Sequence, residues 1–211
     1  MPKKEPKCKK CRRLKTKLFL KGEKCFSYKC PLSRRPYPPG ERPKKVVPKV
    51  TEYLRLLAEK QKLKLFYNLR DHQLKRYVKE VLKESRKHEN LDEALVEKLE
   101  LRLDNVIYRL GLASSKSQAR QLVSHKYFLV NKIPVNIPSY HLKVGDIIEI
   151  KPQKLKKKIF QNLKERLKNV QLPSYLESDL EKLQFKVISK PKVEDLGIPV
   201  DLHSVFEFYA K

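Results

Sequence analysis

Four cysteines fall within the first thirty residues, and their spacing is that of metal ligands. Cys8 and Cys11 form C-x2-C, and Cys25 and Cys30 form C-x4-C. The first spacing lets two thiolates from one turn reach the same ion, and the second lies within the loop spacing of structural zinc sites. Four thiolates at about 2.3 Å from one zinc ion would close a tetrahedron with no open position, which is a structural and not a catalytic arrangement. The segment needs such help. Residues 1–50 carry 18 Lys or Arg against three Glu, and eight of the chain's 14 prolines. A stretch of this composition cannot bury enough apolar surface to fold alone. Metal binding, an apparent ~10–16 kcal/mol in zinc peptides, would supply what its core lacks. Two disulfides, four unrelated cysteines or an iron–sulfur cluster are the competing readings. Clustering, and the reducing compartment expected below, favour zinc.

The second set of chemistry-bearing residues is basic and amide. Arg102, Asn105 and Arg109 lie together on one face of a predicted helix, away from the apolar stripe of Leu103, Val106, Ile107 and Leu110. In the next helix Lys116, Arg120 and Ser124 recur at i, i+4, i+8, with Gln121 beside them. Asp104 reads as an orienting partner for an arginine, because a carboxylate repels phosphate. His125 reads as a helix-end residue and not as a ligand or catalyst. No nucleophile–base pair, glycine-rich phosphate loop or open metal site accompanies these residues, so an enzyme is not expected.

The chain's charge says what such faces meet. Lys and Arg total 50 against 24 Asp and Glu in 211 residues, a formal net charge of +26. A polyanion is needed to neutralise it, either nucleic acid or an anionic membrane surface. No apolar run approaches the roughly 18–20 residues of a membrane-spanning helix. The N-terminus lacks the apolar core of a signal peptide, so a cytoplasmic location is expected.

Elements able to position these residues follow from spacing. Residues 31–50 form a proline-rich basic linker, in which Arg34, Arg35, Tyr37 and Arg42 either track a phosphate backbone or merely tether. Thr51 is a plausible N-cap for a first long helix, and Asp71 for a second, whose outer face carries Lys75, Arg76, Lys79 and Lys83. Asn90 with Glu93, and Ser115 with Gln118, have capping-box spacing. Gly111 should end the helix over 103–110. Alternating apolar residues around Asn131-Lys132 predict a hairpin, and Ile147–Ile150 a further strand. Residues 154–170 are expected as one helix burying Ile159, Phe160, Leu163, Leu167 and Val170. The tail is read as loops, a short strand pair and a terminal helix.

Four blocks in this order resemble a known family, the bacterial-type small-subunit ribosomal protein four. They are Arg102 to Gly111, Gln118 to His125, Val135 to Tyr140 and Gly145 to Ile148. Glu59-Lys60-Gln61-Lys62 with Tyr67, and the closing Glu207-Phe208-Tyr209, resemble further family motifs. The four cysteines resemble its zinc-bearing branch. Glycines usual in the family are here Asn68 and Lys132, and a common tryptophan is Tyr175.

The resemblance implies an α+β protein: a split, mainly helical domain plus a small alpha-L RNA-binding lobe of two helices and a short twisted sheet. The implied divisions are a zinc-tied arm at 1–45, helical domain at 46–98, alpha-L domain at 99–152, and a segment at 153–211 packing back on the helical domain. Implied too are primary binding to the five-prime domain of small-subunit rRNA, nucleation of assembly, and a place beside ribosomal proteins three and five where mRNA enters, with an influence on decoding accuracy. An organelle ribosome is an alternative location. Expected RNA contacts are Arg102, Asn105, Arg109, Lys116, Arg120 and Gln121, with Gln61, Lys62, Tyr67 and Arg70 from the helical domain. Alpha-L modules also occur in RNA pseudouridine synthases and tyrosyl-tRNA synthetases, but no separate catalytic domain is visible here. A zinc-containing DNA-binding regulator is a further alternative, lacking any dimerisation element.

Overall fold

The computed structural model describes residues 6–40, 50–85, 90–161 and 163–210. Arg42 and the expected boundary near residue 45 lie outside the described residues, as do the side chains of Asn162 and Lys164 in the basic run of 154–170. The chain divides into two compact units, residues 1–80 with 198–211, and residues 81–197. The fold class is α+β, as expected.

The first unit contains three short helices around the cysteines, α1 (Lys7–Leu14), α2 (Glu23–Phe26) and α3 (Pro31–Arg34). Then comes the long α4 (Glu52–Phe66), where the Thr51 hydroxyl accepts the Leu54 N–H and caps the helix. The next helix, α5 (Asp71–Lys83), begins at Asp71 itself. Asp71 is therefore not the cap: Gln73 Oε1 takes the Arg70 N–H instead, and the Asp71 carboxylate faces Lys60 and Lys64. The last helix, α11 (Leu202–Ala210), belongs to this unit and packs on α4. Its docking joins residues far apart in sequence: the Asp201 N–H donates to Glu59, and the Tyr53 and Phe208 rings meet at 5.9 Å.

The second unit holds α6 (Leu91–Glu100), α7 (Leu103–Arg109) and α8 (Lys116–Ser124) beside a five-stranded antiparallel sheet. Leu95, Leu99, Leu103, Val106, Ile107 and Leu110 are fully buried, the stripe that periodicity predicts. Gly111 adopts φ +74, and a Cβ there would lie 2.7 Å from Val170. This position therefore needs both glycine's backbone freedom and its small size. The hairpin forms from β1 (Phe128–Val130) and β2 (Ile133–Val135), with Asn131 and Lys132 at φ 50 and 68. Both residues of the turn are left-handed, the geometry whose twist suits a two-residue hairpin. Lys132 thus occupies a conformation that glycine reaches at less cost.

The tail differs from expectation. Its strands β4 (Leu176–Asp179) and β5 (Gln184–Val187) do not join the helical unit. They extend the sheet begun by β1, β2 and β3 (Ile147–Ile150), giving the order β2-β1-β3-β5-β4. Phe185 and Val187 alternate inward beside Ile148, which roots the pair in the second unit's core. Only α11 returns to the helical unit. The single helix expected over 154–170 is broken into α9 (Pro152–Leu155), a 3-10 turn over Lys158–Phe160, and α10 (Leu163–Lys168). A run of lysines at 154, 156, 157 and 158 puts like charges within one turn. The break lets Phe160 sit edge-on to Phe128, with ring centroids 6.4 Å apart.

Candidate nucleic-acid interface

Helix α7 is built so that its N-terminus is closed. The Leu103 and Asp104 N–H groups donate to the carbonyls of Tyr140 and Pro138, and Arg102 bridges to His141. At its start the Arg102 guanidinium forms a two-bond pair with Asp104, 2.7 and 3.1 Å, with only 1% of Arg102 exposed. Asp104 is thus the arginine's partner, as its charge predicts. Planar guanidinium and carboxylate match as a fork, which makes such a buried pair tolerable.

One turn on, Asn105 and Arg109 converge on a residue that sequence reasoning missed. Glu100, the last residue of α6, is fully buried. Its carboxylate accepts from Asn105 Nδ2 at 2.6 Å, from Arg109 at 2.8 and 3.1 Å, and from the Tyr175 hydroxyl at 2.9 Å. Arg109 also donates to the Leu196 carbonyl. Burial, then the adjacent Glu100 charge, push the Tyr175 phenol far above its ordinary value. Tyr175 therefore serves as a hydrogen-bond donor to an interior carboxylate. The Lys116 ammonium is buried in the same region, 5.5 Å from the centroid of the Tyr108 ring. Burial pulls its pKa down to about 7; Arg109 pushes the same way, against Glu100 and Asp104.

The expected exposed patch is therefore corrected. Arg102 and Asn105 are interior, Arg109 is mostly covered and held by Glu100, and Lys116 turns its charge inward. What α8 leaves at the surface is Gln121, Ser124, His125 and the neighbouring Lys126, with Arg120 half-buried. The Ser115 hydroxyl caps α8 through the Gln118 N–H, while Gln118 reaches back to Ser114. His125 sits at the C-cap, as its position predicts.

In the helical unit, Gln61 is half-buried, and Lys62 is held 2.6 Å from Glu59 on α4. Tyr67 is 3% exposed and packs edge-on against Phe66, while Arg70 is exposed. Asn68 stands in the left-handed region at φ 53. Beside these lies a recess of about 640 Å³ lined by Lys60, Asp71, His72, Lys75, Lys79, Phe208 and Tyr209. Lys60 points at the Phe208 ring and pairs with Asp71. Burial acts against ionised Asp71, but Lys64 and Lys60 outweigh it and hold the carboxyl below its usual range. Tyr209 Oη is buried with no hydrogen-bond partner among the described residues, and burial with nearby Asp71 pushes its pKa up to about 12. His72, Lys75 and Lys79 recur at i, i+3, i+7 and are exposed, which leaves this wall net positive.

In the arm, none of the four cysteines forms a disulfide; Cys11 and Cys30 are buried, and Cys8 and Cys25 half-buried. Backbone N–H groups face the sulfurs: Leu18 toward Cys11, Lys21 toward Cys25 at 3.4 Å, and Ser33 and Leu32 toward Cys30. Burial raises the Cys11 pKa, the N–H of Leu18 opposes it, and Cys25, Cys8 and Cys30 add to the rise, so the four groups are near enough to feel one another. Burial also disfavours the Cys30 thiolate, yet the N–H groups of Ser33 and Leu32 bring its pKa below the ordinary value. Among the described residues, no three His, Cys, Asp or Glu side chains converge as a metal-holding group. No helix among them is long and apolar enough to cross a membrane.

The chain thus joins a basic, cysteine-bearing arm and helical unit to a second unit of a helix pair and a small sheet. Residues 101–148 match the S4 domain, and residues 2–100 match the ribosomal protein S4/S9 N-terminal domain. The sequence is 45% identical to small ribosomal subunit protein uS4 of Caldicellulosiruptor bescii, over 98% of this chain and 97% of that protein. It is 43% identical to the protein of the same name from Halothermothrix orenii, over 99% and 98%, and 45% identical to that of Dictyoglomus turgidum, over 98% and 97%. The chain belongs to the uS4 family of small ribosomal subunit proteins.

Proposed function

We propose that this chain is a structural, non-enzymatic constituent of the small ribosomal subunit that binds rRNA. The observation that carries this reading is likeness to uS4 proteins over nearly the whole of both chains. The net charge of +26 supports it independently, since a polyanion must neutralise such a body. Double-helical RNA hides its bases in a deep groove, so recognition of this kind reads shape and phosphates. Within that reading the protein binds the five-prime domain, nucleates assembly, and lies beside ribosomal proteins three and five where mRNA enters, contributing to decoding accuracy. RNA contacts come from Arg120, Gln121, Gln61, Lys62 and Arg70, and from the exposed face of α5 with Lys75, Arg76 and Lys79. Within the unit of residues 81–197, Arg102, Asn105, Arg109 and Lys116 act from beneath the surface, and Tyr67 does so within the helical unit, as their burial argues. Sedimentation of the native protein in low-magnesium gradients tests the assignment. Co-migration with the small subunit is expected, and failure to co-migrate overturns it.

One structural zinc held by Cys8, Cys11, Cys25 and Cys30 belongs to the same proposal. The donor set supports it: four free thiols in one arm, with N–H groups facing three of the sulfurs. Such N–H···S bonds stabilise thiolates. Bound zinc would cross-link the arm. Elemental analysis of reduced, anaerobically purified protein should find one zinc per chain, and no stoichiometric metal would exclude the site.

A further inference from the structure

The cysteine arm shows aromatic rings to solvent where its composition gives no reason for them. Phe26 is 72% exposed and Tyr28 is 81% exposed. Their presentation is built, not incidental. Between residues 21 and 30 the backbone is tied by the Cys25 N–H to Gly22, Ser27 to Glu23, Cys30 to Ser27, and Lys21 to the Cys25 sulfur. Gly22 supplies the turn at φ 59. Behind Phe26 stands Phe19, stacked with centroids 4.9 Å apart and planes 26° from parallel. Phe19 itself is held at φ 50, a left-handed conformation that a bulky residue adopts only when its surroundings impose it. One face of Phe26 is therefore braced, and the rest of the ring is open. The Lys29 ammonium lies 5.6 Å from the centroid of the Tyr28 ring.

What would cover such rings is decided by charge. Residues 6–40 hold twelve Lys or Arg and one acidic residue, Glu23. A protein partner favours an interface depleted of charge at its core. Exposed rings set in a segment with so large an excess of cations are instead the arrangement of single-stranded nucleic-acid binding, in which cations follow the phosphates and bases stack on the aromatics. We propose that Phe26, braced by Phe19, and Tyr28 form a platform on which unpaired RNA bases stack. The inference rests on the rRNA-binding reading and adds to it a contact of a different kind, one that reads unpaired nucleotides and not helix shape.

The chain contains no tryptophan, so Phe26→Trp installs a single reporter. In the full-length protein its fluorescence should be quenched by a protein-free transcript of small-subunit rRNA, with the midpoint of binding, and left unchanged by a perfect RNA duplex. The double variant Phe26→Leu/Tyr28→Leu keeps apolar bulk at exposed positions and removes the π-faces. With far-UV circular dichroism unchanged, it should bind the transcript about tenfold or more weakly at an unaltered salt slope, since the cations that meet phosphate are untouched. Unaltered affinity of the double variant, or an unquenched reporter in a bound complex, overturns the platform. If affinity for naked RNA is unaltered while incorporation into subunits falls, the rings face a protein and the proposal is wrong. Should the unmodified chain not bind the transcript at all, the rRNA-binding reading fails and the platform with it. Equal binding by the unmodified chain and the double variant removes the platform alone.

Discussion

The two units use the same residue types in opposite directions. In the unit of residues 81–197, Arg102, Arg109 and Lys116 turn their charges inward, onto Asp104, Glu100 and the Tyr108 ring. In the helical unit, Arg70, Lys75, Arg76 and Lys79 stand in solvent on or beside α5. The difference lies in what surrounds them. A buried carboxylate such as Glu100 is intolerable without donors, and here the Asn105 amide, the Arg109 guanidinium and the Tyr175 hydroxyl supply them. On α5, Glu80 lies beside an exposed Arg76 at 3.5 Å and is itself only partly covered, so it demands less. In a chain this basic, charge alone does not say which way a cation points; the presence or absence of an interior acceptor does.

Three experiments bear on that contrast. The largest effect is expected from Glu100→Ala, which takes the carboxylate acceptor from the Asn105 amide, the Arg109 guanidinium and the Tyr175 hydroxyl, leaving Asn105 and Arg109 only the carbonyls of residue 100 and Leu196. Breaking a buried charge network from one side costs about 3–5 kcal/mol, measurable by urea denaturation. A loss under about 1 kcal/mol, no more than a typical surface substitution, would mean that the inward cations are not held by Glu100.

A smaller effect concerns Lys116. The folded chain gives up this proton near pH 7, while the unfolded chain keeps it to about 10.5. Between these values the unfolded state binds more protons, so stability rises as pH climbs from about 7 toward 10. Below pH 7 both states are protonated and the full penalty remains. Lys116→Met should remove this rise and stabilise the protein most at low pH. A stability curve of unchanged slope in the variant would place the ammonium in water, with the outward set.

Least perturbing to the fold is Lys75→Ala with Lys79→Ala. Both residues are exposed, so stability should move by less than about 0.5 kcal/mol. The slope of log affinity against log salt should fall by about 0.7–0.9 for each phosphate that is no longer neutralised. Arg102→Ala should do the reverse, destabilising the chain at an unaltered slope. An identical slope in the α5 pair would erase the distinction between the two units.

Local rules read the sequence well where the physics is local. Thr51 and Ser115 cap their helices, Gly111 takes the left-handed position, and the Asn131-Lys132 turn closes a hairpin, each set by neighbours a few residues away. The spacing of Asn105 and Arg109 put those two on one side of α7, where both reach Glu100, while Arg102 stands at the N-cap and pairs with Asp104. Spacing could not give the direction of that face. That depends on Glu100 at the end of the preceding helix and on Tyr175, 75 residues further along. A signal was present: a glutamate at the close of an otherwise apolar helix face, ahead of two arginines. The destination of β4 and β5 was hidden for a similar reason, since short apolar runs specify extended chain but not the sheet they join.

The docking of α11 on α4 has a consequence in time. The two residues joined by the Asp201–Glu59 hydrogen bond are 142 positions apart. At about 5–20 residues per second of synthesis, α4 waits roughly 7–30 s for the helix that covers it. During that interval the unit of residues 81–197 can be finished while the helical unit still shows its apolar side. A nascent chain of this kind is most exposed to proteases and chaperones in the part that was made early, and a premature stop codon ahead of α11 would make that exposure permanent.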